Sequence, residues 1–375
     1  MAVITGTRYT DSDASNIAID MSDTLSMISP FDVPILSLIG KDSLATPCVA
    51  VKHEWLEAAL RPLDGTFQNG QLNNTTDPVT ANITAGQGVR LIVNDILKVE
   101  AELMRVTTIA TDAITLARGF GGTTNATHAG VIPWAMAGHV DLQDAAVPTA
   151  RSTTKSGLYN YCQIYNASIK VTTTMQAIKK WVQQDDFAAQ IADELKVAWQ
   201  TWERAALYGR RVAPTASVAG AMDGIFGRIA TNVYAKASAY LIEDFVLQAL
   251  QDCWTAGGAP QTIVGGAFQK RRFNQFNDGL RETTRTDRTA GAIVNTYESD
   301  FGNVDFVLDR NMPTDSLLIL DKNRIGFGPL RDHAMKWVPI PLTTGLVETS
   351  QLLGQYTMEL RNETAHAAIT GLATS

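Results

Sequence analysis

The sequence predicts an α+β protein in which helices and strands are segregated along the chain rather than alternating. Three observations carry this. Residues 185–209, DDFAAQIADELKVAWQTWERAALYG, repeat apolar side chains at Phe187, Ile191, Leu195, Trp199, Trp202 and Ala206, the spacing of one long amphipathic helix. Residues 86–148 show short β-branched runs separated by turn residues, as in a small barrel or sandwich. The C-terminal half returns to strands in AIVNTYESDFGNVDFVLD, SLLILDK, RIGFGP, MKWVPIPL and QYTMELRNETAHAAITGL.

In chain order, residues 1–47 read as an arm. SDTLSMI can form one or two helical turns capped by Ser22 or Asp23, but Pro30 stops them and Pro34 holds Val33 extended. Ile35, Leu36, Leu38 and Ile39 then precede Gly40, a helix stop. Burying four such side chains is worth roughly 1.5–3 kcal/mol each, and so short a piece has no second face for them. They need a surface, on their own domain or on a neighbouring subunit. Residues 48–85 begin as the extended CVAVKHEWLEAAL and continue into the turn-rich DGTFQNGQLNNTTDPVTAN, a long polar excursion bounded by strands. The β block 86–148 follows as an inserted module. The strand YCQIYNASIKVT leads into the long helix, whose first turn takes Asp185 and Asp186 and whose end takes Gly209. Beyond a small-residue connector, a second helix spans about 240–256 and stops at Gly257-Gly258. QTIVGG reads as a buried strand, AFQKRRFNQF as a short helix, and residues 278–291 as an arginine-rich loop.

Composition bounds the function. The chain has 375 residues and 45% hydrophobic content, enough for a sizeable core, and its net charge of -7 argues against a broad phosphate-neutralising face. Cys48, Cys162 and Cys253 are odd in number and far apart, which suggests reduced, buried thiols. The first residues lack the pattern of a secretory signal, and no run approaches the roughly twenty apolar residues that span a bilayer. Catalytic motifs do not assemble: His53, His128, His139, His333 and His366 are dispersed, without H-E-x-x-H, G-x-S-x-G or a phosphate loop. The glycine-rich GFGGTTNATHAG contains His128 but opens no helix; it reads as a tight turn or a ligand site. An enzyme using His128 or His333 would lack any nucleophile or carboxylate that the sequence places beside either. Asp11, Asp13, Asp20 and Asp23 lack calcium-loop spacing and read as a solvated arm. The basic cluster Lys270, Arg271, Arg272, Arg281, Arg285 and Arg288 reads as a solvated face, as intrachain ion pairs, as a contact with acidic groups of adjacent copies, or as a nucleic-acid contact.

In this order, the pieces resemble the major capsid proteins of tailed bacteriophages, with the Hong Kong-type capsid fold. SDTLSMISPFDVPILSLIGK carries the P-x-D-x-P-x-x-S-x-I-G run of one capsid subgroup's arm, followed here by Lys52 and HEW. The C-terminal half from GAIVNTYESDFGNV through LLILDKNRIGFGPLRD to MELRNETAHAAITGL resembles the same subgroup. The resemblance, which does not cover the inserted β domain (86–148), implies an N-terminal arm (1–47), an extended E-loop (48–85), a peripheral domain with the spine helix (149–219), an axial domain (220–342) and C-terminal peripheral strands (343–375); the β domain is an addition to the family plan. Arm residues Pro30, Pro34, Ile35, Leu36, Leu38 and Ile39 would lie on adjacent subunits. Arg281, Arg285 and Arg288 would face neighbours in an axial loop, and Phe187, Ile191, Leu195, Trp199 and Trp202 would form the spine-helix core. The implied function is an icosahedral phage-head shell of hexamers and pentamers enclosing double-stranded DNA without sequence-specific binding; the alternative is another virion structural protein, of tail, baseplate or decoration type, or an encapsulin-like compartment shell protein. It needs no cofactor, metal, membrane or catalytic residue. Partners would be other copies, scaffolding, portal and decoration proteins, with assembly in the host cytoplasm. The start at Met1 without a long helical segment before the arm implies a separate scaffolding protein.

Overall fold

The computed structural model describes residues 31–40, 42–44, 46–145, 147–148, 150–178, 185–276, 296–341 and 346–374. Two compact units share the chain: Leu56–Gly157 forms one, and the described residues before and after it form the other. The described chain begins with α1 (Pro34–Ile39), where proline occupies the first turn and leaves no N–H unpaired. Gly40, at φ 94°, ends the helix in a conformation that only glycine adopts without strain. β1 (Lys52–Glu57) follows.

The unit Leu56–Gly157 holds β2 (Asp64–Phe67), β3 (Val79–Asn82), β4 (Asp95–Val99), β5 (Glu102–Ala110), β6 (Ala113–Ala117) and β7 (Ile132–His139). They pair antiparallel in the order β2-β7-β4-β5-β6-β3. The two end strands also meet: Gln68 N–H donates to Asn82 O and Thr84 N–H to Thr66 O, both at 2.9 Å, closing the sheet on itself. A closed sheet leaves no exposed edge to pair with another chain. Its interior is packed by Phe67, Leu97, Met104, Ile114 and Trp134. The excursion 48–85 is therefore not a loop separate from the block at 86. Phe67, Leu72, Val79, Ala81 and Ile83 are buried in the barrel core while the polar residues between them face out. The turn formers concealed two short strands whose partners lie some 30 to 70 residues further along the chain.

In the other unit the chain returns through β8 (Ser156–Tyr161), paired with β1, and continues as β9 (Gln163–Thr172) and α2 (Thr173–Ala177). The spine helix is α3 (Asp186–Tyr208). The Asp185 carboxylate accepts from Ala188 N–H at 3.0 Å at its start, and Gly209 stands at its end. Then come α4 (Ile225–Arg228), β10 (Val233–Ala239), α5 (Glu243–Thr255), β11 (Thr262–Gly265), α6 (Ala267–Phe273), β12 (Thr296–Ser299), β13 (Gly302–Leu308), β14 (Leu317–Leu320), β15 (Ile325–Pro329), β16 (Lys336–Ile340), β17 (Val347–Leu360) and β18 (Ala367–Leu372).

A mixed six-stranded sheet runs β10-β18-β14-β11-β13-β12, and a second sheet centres on β17, flanked by β9, β15 and β16. All four residues of β14 are buried because the sheet is covered on both faces. Leu318 and Leu320 join a core with α1, Trp202, Phe327 and Tyr356. Leu317 and Ile319 join a second core with α5, Phe273 and Phe306.

Candidate assembly surfaces

The apolar residues of the arm take an intrachain surface. Ile35, Leu36 and Ile39 are buried in the core formed by the C-terminal half of α3, β15 and β17. Pro34 and Leu38 are half-buried, and Pro30 lies outside the described residues. The expectation that these side chains anchor on a neighbouring copy is corrected for Ile35, Leu36 and Ile39. Hydrophobic burial rewards area removed from water without regard to which subunit supplies the cover, and here the subunit itself supplies it.

Polar chemistry fixes the same docking. The Glu203 carboxylate, fully buried on α3, accepts from Ile35 N–H at 2.7 Å and Leu36 N–H at 2.9 Å. It thereby satisfies two of the orphan amides in the first turn of α1. Burial pushes the Glu203 carboxyl up to about 7, against these two donors, with Asp309 and Asp32 adding to the rise. No periodicity argument singles out a glutamate on the buried face of a helix; the signal lies in the fold.

Along α3 the core is shorter than the apolar stripe. Trp202, Ala206 and Leu207 are buried, but Phe187, Ile191, Leu195 and Trp199 are only half-buried. Trp202 packs on Phe327 and Tyr356, with ring centroids 6.1 and 5.1 Å away. Trp199 reaches Tyr356 edge-on at 5.8 Å, and Tyr165 Oη donates to Glu194 at 2.8 Å. Trp202 lies in the buried core, whereas Phe187, Ile191 and Leu195 lie outside it.

Within the barrel unit, the turn containing His128 is pinned by ionic contacts. Arg118 pairs with the buried Glu102 through Nε at 2.9 Å and Nη2 at 2.5 Å. His128 contacts Glu102 with Nε2 and Glu100 with Nδ1, both at 3.0 Å. Burial raises the Glu102 carboxyl, but Arg118, the Ala126 N–H and His128 outweigh it and hold the group below its usual range. The fold thus brings two carboxylates to His128 that the sequence did not place beside it. Arg118 neutralises the buried one, and the cluster ties the loop down. His333 is exposed on a turn before β16.

The barrel unit carries two adjoining surface clefts. One, of about 640 Å³, is lined by Val89, Ile92, Val93, Leu142 and Val147, of which Val147 is 96% exposed. The other, of about 610 Å³, is lined by Arg61, Arg90, Arg151, Ser152 and Thr153, and Arg151 Nη1 pairs with the buried Asp95 carboxylate at 3.2 Å. An exposed apolar patch beside donor-rich walls is the composition of a protein–protein contact.

The profile of the SU10 major capsid protein family matches residues 3–373, nearly the whole chain. The chain belongs to that family. It is a major capsid protein of a tailed phage, with the Hong Kong-type fold. Solved structures similar to it include the capsid of an empty GTA particle, at 9% identity and TM-score 0.55 over 97% of this chain and 98% of that one. A Gordonia phage Cozz chain matches at 9% identity and TM-score 0.52 over 100% and 98%, and a Mycobacterium phage Cain chain at 14% and 0.50 over 99% and 100%. At these identities the likeness shows the fold alone. No curated protein matches the chain.

In this capsid protein the basic cluster is divided. The Arg272 guanidinium lies 3.9 Å from the Tyr240 ring centroid, and Lys270 Nζ lies 4.3 Å from that of Phe306. Arg271 is exposed. Arg281, Arg285 and Arg288 fall outside the described residues. Trp254, 61% exposed at the end of α5, contacts Phe301 with centroids 6.1 Å apart.

Proposed function

We propose that copies of this chain close into an icosahedral phage-head shell of hexamers and pentamers around double-stranded DNA. The observation that carries the reading is the capsid-family match over residues 3–373. The apolar and arginine-lined clefts of Leu56–Gly157 support it, since they stand open among the described residues of that unit. In this reading that unit takes the place of the E-loop together with its inserted domain, and its clefts rest on a second copy. Residues 158–219 and 343–375 form the peripheral domain, and residues 220–342 form the axial domain. Arg281, Arg285 and Arg288 meet acidic groups of adjacent copies around the symmetry axes, where planar guanidinium groups suit polar contacts. The arm before α1 reaches a neighbour. Scaffolding, portal and decoration proteins are its partners, and assembly takes place in the host cytoplasm. A net charge of -7 suits a wall that does not adsorb the packaged polyphosphate.

Sedimentation of the protein, co-expressed with a scaffolding partner, tests this. Shell-sized particles are expected. Monomers and small oligomers under every condition would contradict the reading.

A further inference from the structure

Cys48 and Cys162 are both buried, and their sulfurs lie 3.3 Å apart. The Ala50 carbonyl is 3.1 Å from one and 3.5 Å from the other. Backbone bonds hold both segments in register: Cys162 N–H donates to Val51 O at 2.8 Å, and Arg331 N–H donates to Cys48 O at 2.9 Å. The two side chains are therefore presented to each other by fixed backbone. Their positions in the chain give the pair its meaning. Cys48 precedes β1, through which the chain runs into Leu56–Gly157, and Cys162 follows β8, through which it returns.

We propose that Cys48 and Cys162 are a disulfide-forming couple, a covalent staple that closes the chain loop bearing the whole barrel unit. A small-molecule disulfide such as oxidised glutathione is the oxidant, and the reaction runs as two exchanges. The Cys48 thiolate attacks one sulfur of the oxidant, whose sulfur–sulfur bond breaks, and the released glutathione takes up the proton that Cys48 lost. The Cys162 thiolate then attacks the Cys48 sulfur of the mixed disulfide. The second glutathione leaves with the proton from Cys162, and two electrons have passed from the protein dithiol to the oxidant. The sulfurs need only close from 3.3 Å to about 2.05 Å.

Cys48 is the sulfur placed to react first. The Cys162 thiol holds its pKa down to about 5, burial opposes this, and His53 adds to the lowering. Cys162 is pushed up by the same contact and by burial. His53 is in turn raised to about 9 by Cys48 and by Glu359, 3.4 Å away. The couple lies within one subunit, so it forms whether or not shells close. A bond across so long a loop restricts the unfolded chain and leaves the folded one as it is.

The test uses the full chain in two arms: the folded protein incubated with oxidised glutathione, and the denatured protein refolded in a glutathione redox buffer, where burial does not limit access. Each is alkylated and mapped by non-reducing peptide mass spectrometry. A linked Cys48–Cys162 peptide is expected, with Cys253 alkylated only after denaturation. The melting temperature should rise by about 5 °C or more on oxidation, reverse with dithiothreitol, and not move in Cys48→Ser or Cys162→Ser. Free thiols or separate glutathione adducts at both positions in both arms would overturn the proposal, as would an equal shift in either serine variant.

Discussion

Two buried titratable groups dominate the residue scale, and they act on stability in opposite directions. His366 is fully buried, with Nδ1 accepting from Asp321 N–H at 3.2 Å, and burial lowers its pKa to about 4. Its folded value lies below the unfolded 6.5, so its contribution is complete above about pH 6.5 and is lost as pH falls toward 4, about 3 kcal/mol in all. Glu203 has a raised folded value of about 7, so its contribution is complete below the unfolded 4.5 and is lost as pH rises through 7. Denaturant unfolding of wild type and His366→Leu at pH 6.5 and 4 should show the variant losing less stability on acidification, by about 3 kcal/mol. Equal losses would contradict the assignment. Glu203→Ala leaves the Ile35 and Leu36 amides buried without an acceptor and should cost about 3 kcal/mol at pH 7, read by the same unfolding curves. Neither role was legible in the sequence. His366 sits in a polar run and Glu203 in an unremarkable helical position, and only long-range packing makes them buried.

At the scale of elements, legibility followed locality. The spine helix, its Asp185 cap, its Gly209 stop and the strand of SLLILDK depend on nearest neighbours along the chain, and those signals are intact in the sequence. β2 and β3 depend on partners far along the chain, and their polar outward faces read as loop. The tetrad Ile35, Leu36, Leu38 and Ile39 announced a need for cover without saying whose. The structure answers for three of them, and that answer separates two truncations. Removing residues 1–39 should destabilise the subunit, whereas removing residues 1–30 should leave it folded but unable to close shells; Leu36→Ala alone should cost about 3 kcal/mol. Thermal melting and particle yield check all three variants, and normal shells from the 1–30 deletion would remove the role given to the arm. The apolar cleft of the barrel unit makes a complementary case. Leu142→Asp, at an exposed position, should change unfolding by less than about 0.5 kcal/mol yet lower the yield of closed particles.

For the whole molecule, two units with separate cores lie within one family match along nearly the full chain, and the barrel unit's clefts stand open among the described residues. Closed assemblies of identical subunits gain stability because modest contacts recur at every symmetry-related interface. Capsid identity was legible early because the arm and the C-terminal pattern are serial signatures of structural residues. The division of the chain was not, since the barrel recruits residues from both sides of position 86. The most direct test is cryo-electron microscopy of particles assembled from this chain, with icosahedral averaging. A closed shell is expected, in which residues 220–342 of five or six copies surround each axis. Open sheets or tubes without such centres, or a shell built with residues 220–342 away from every axis, would contradict it.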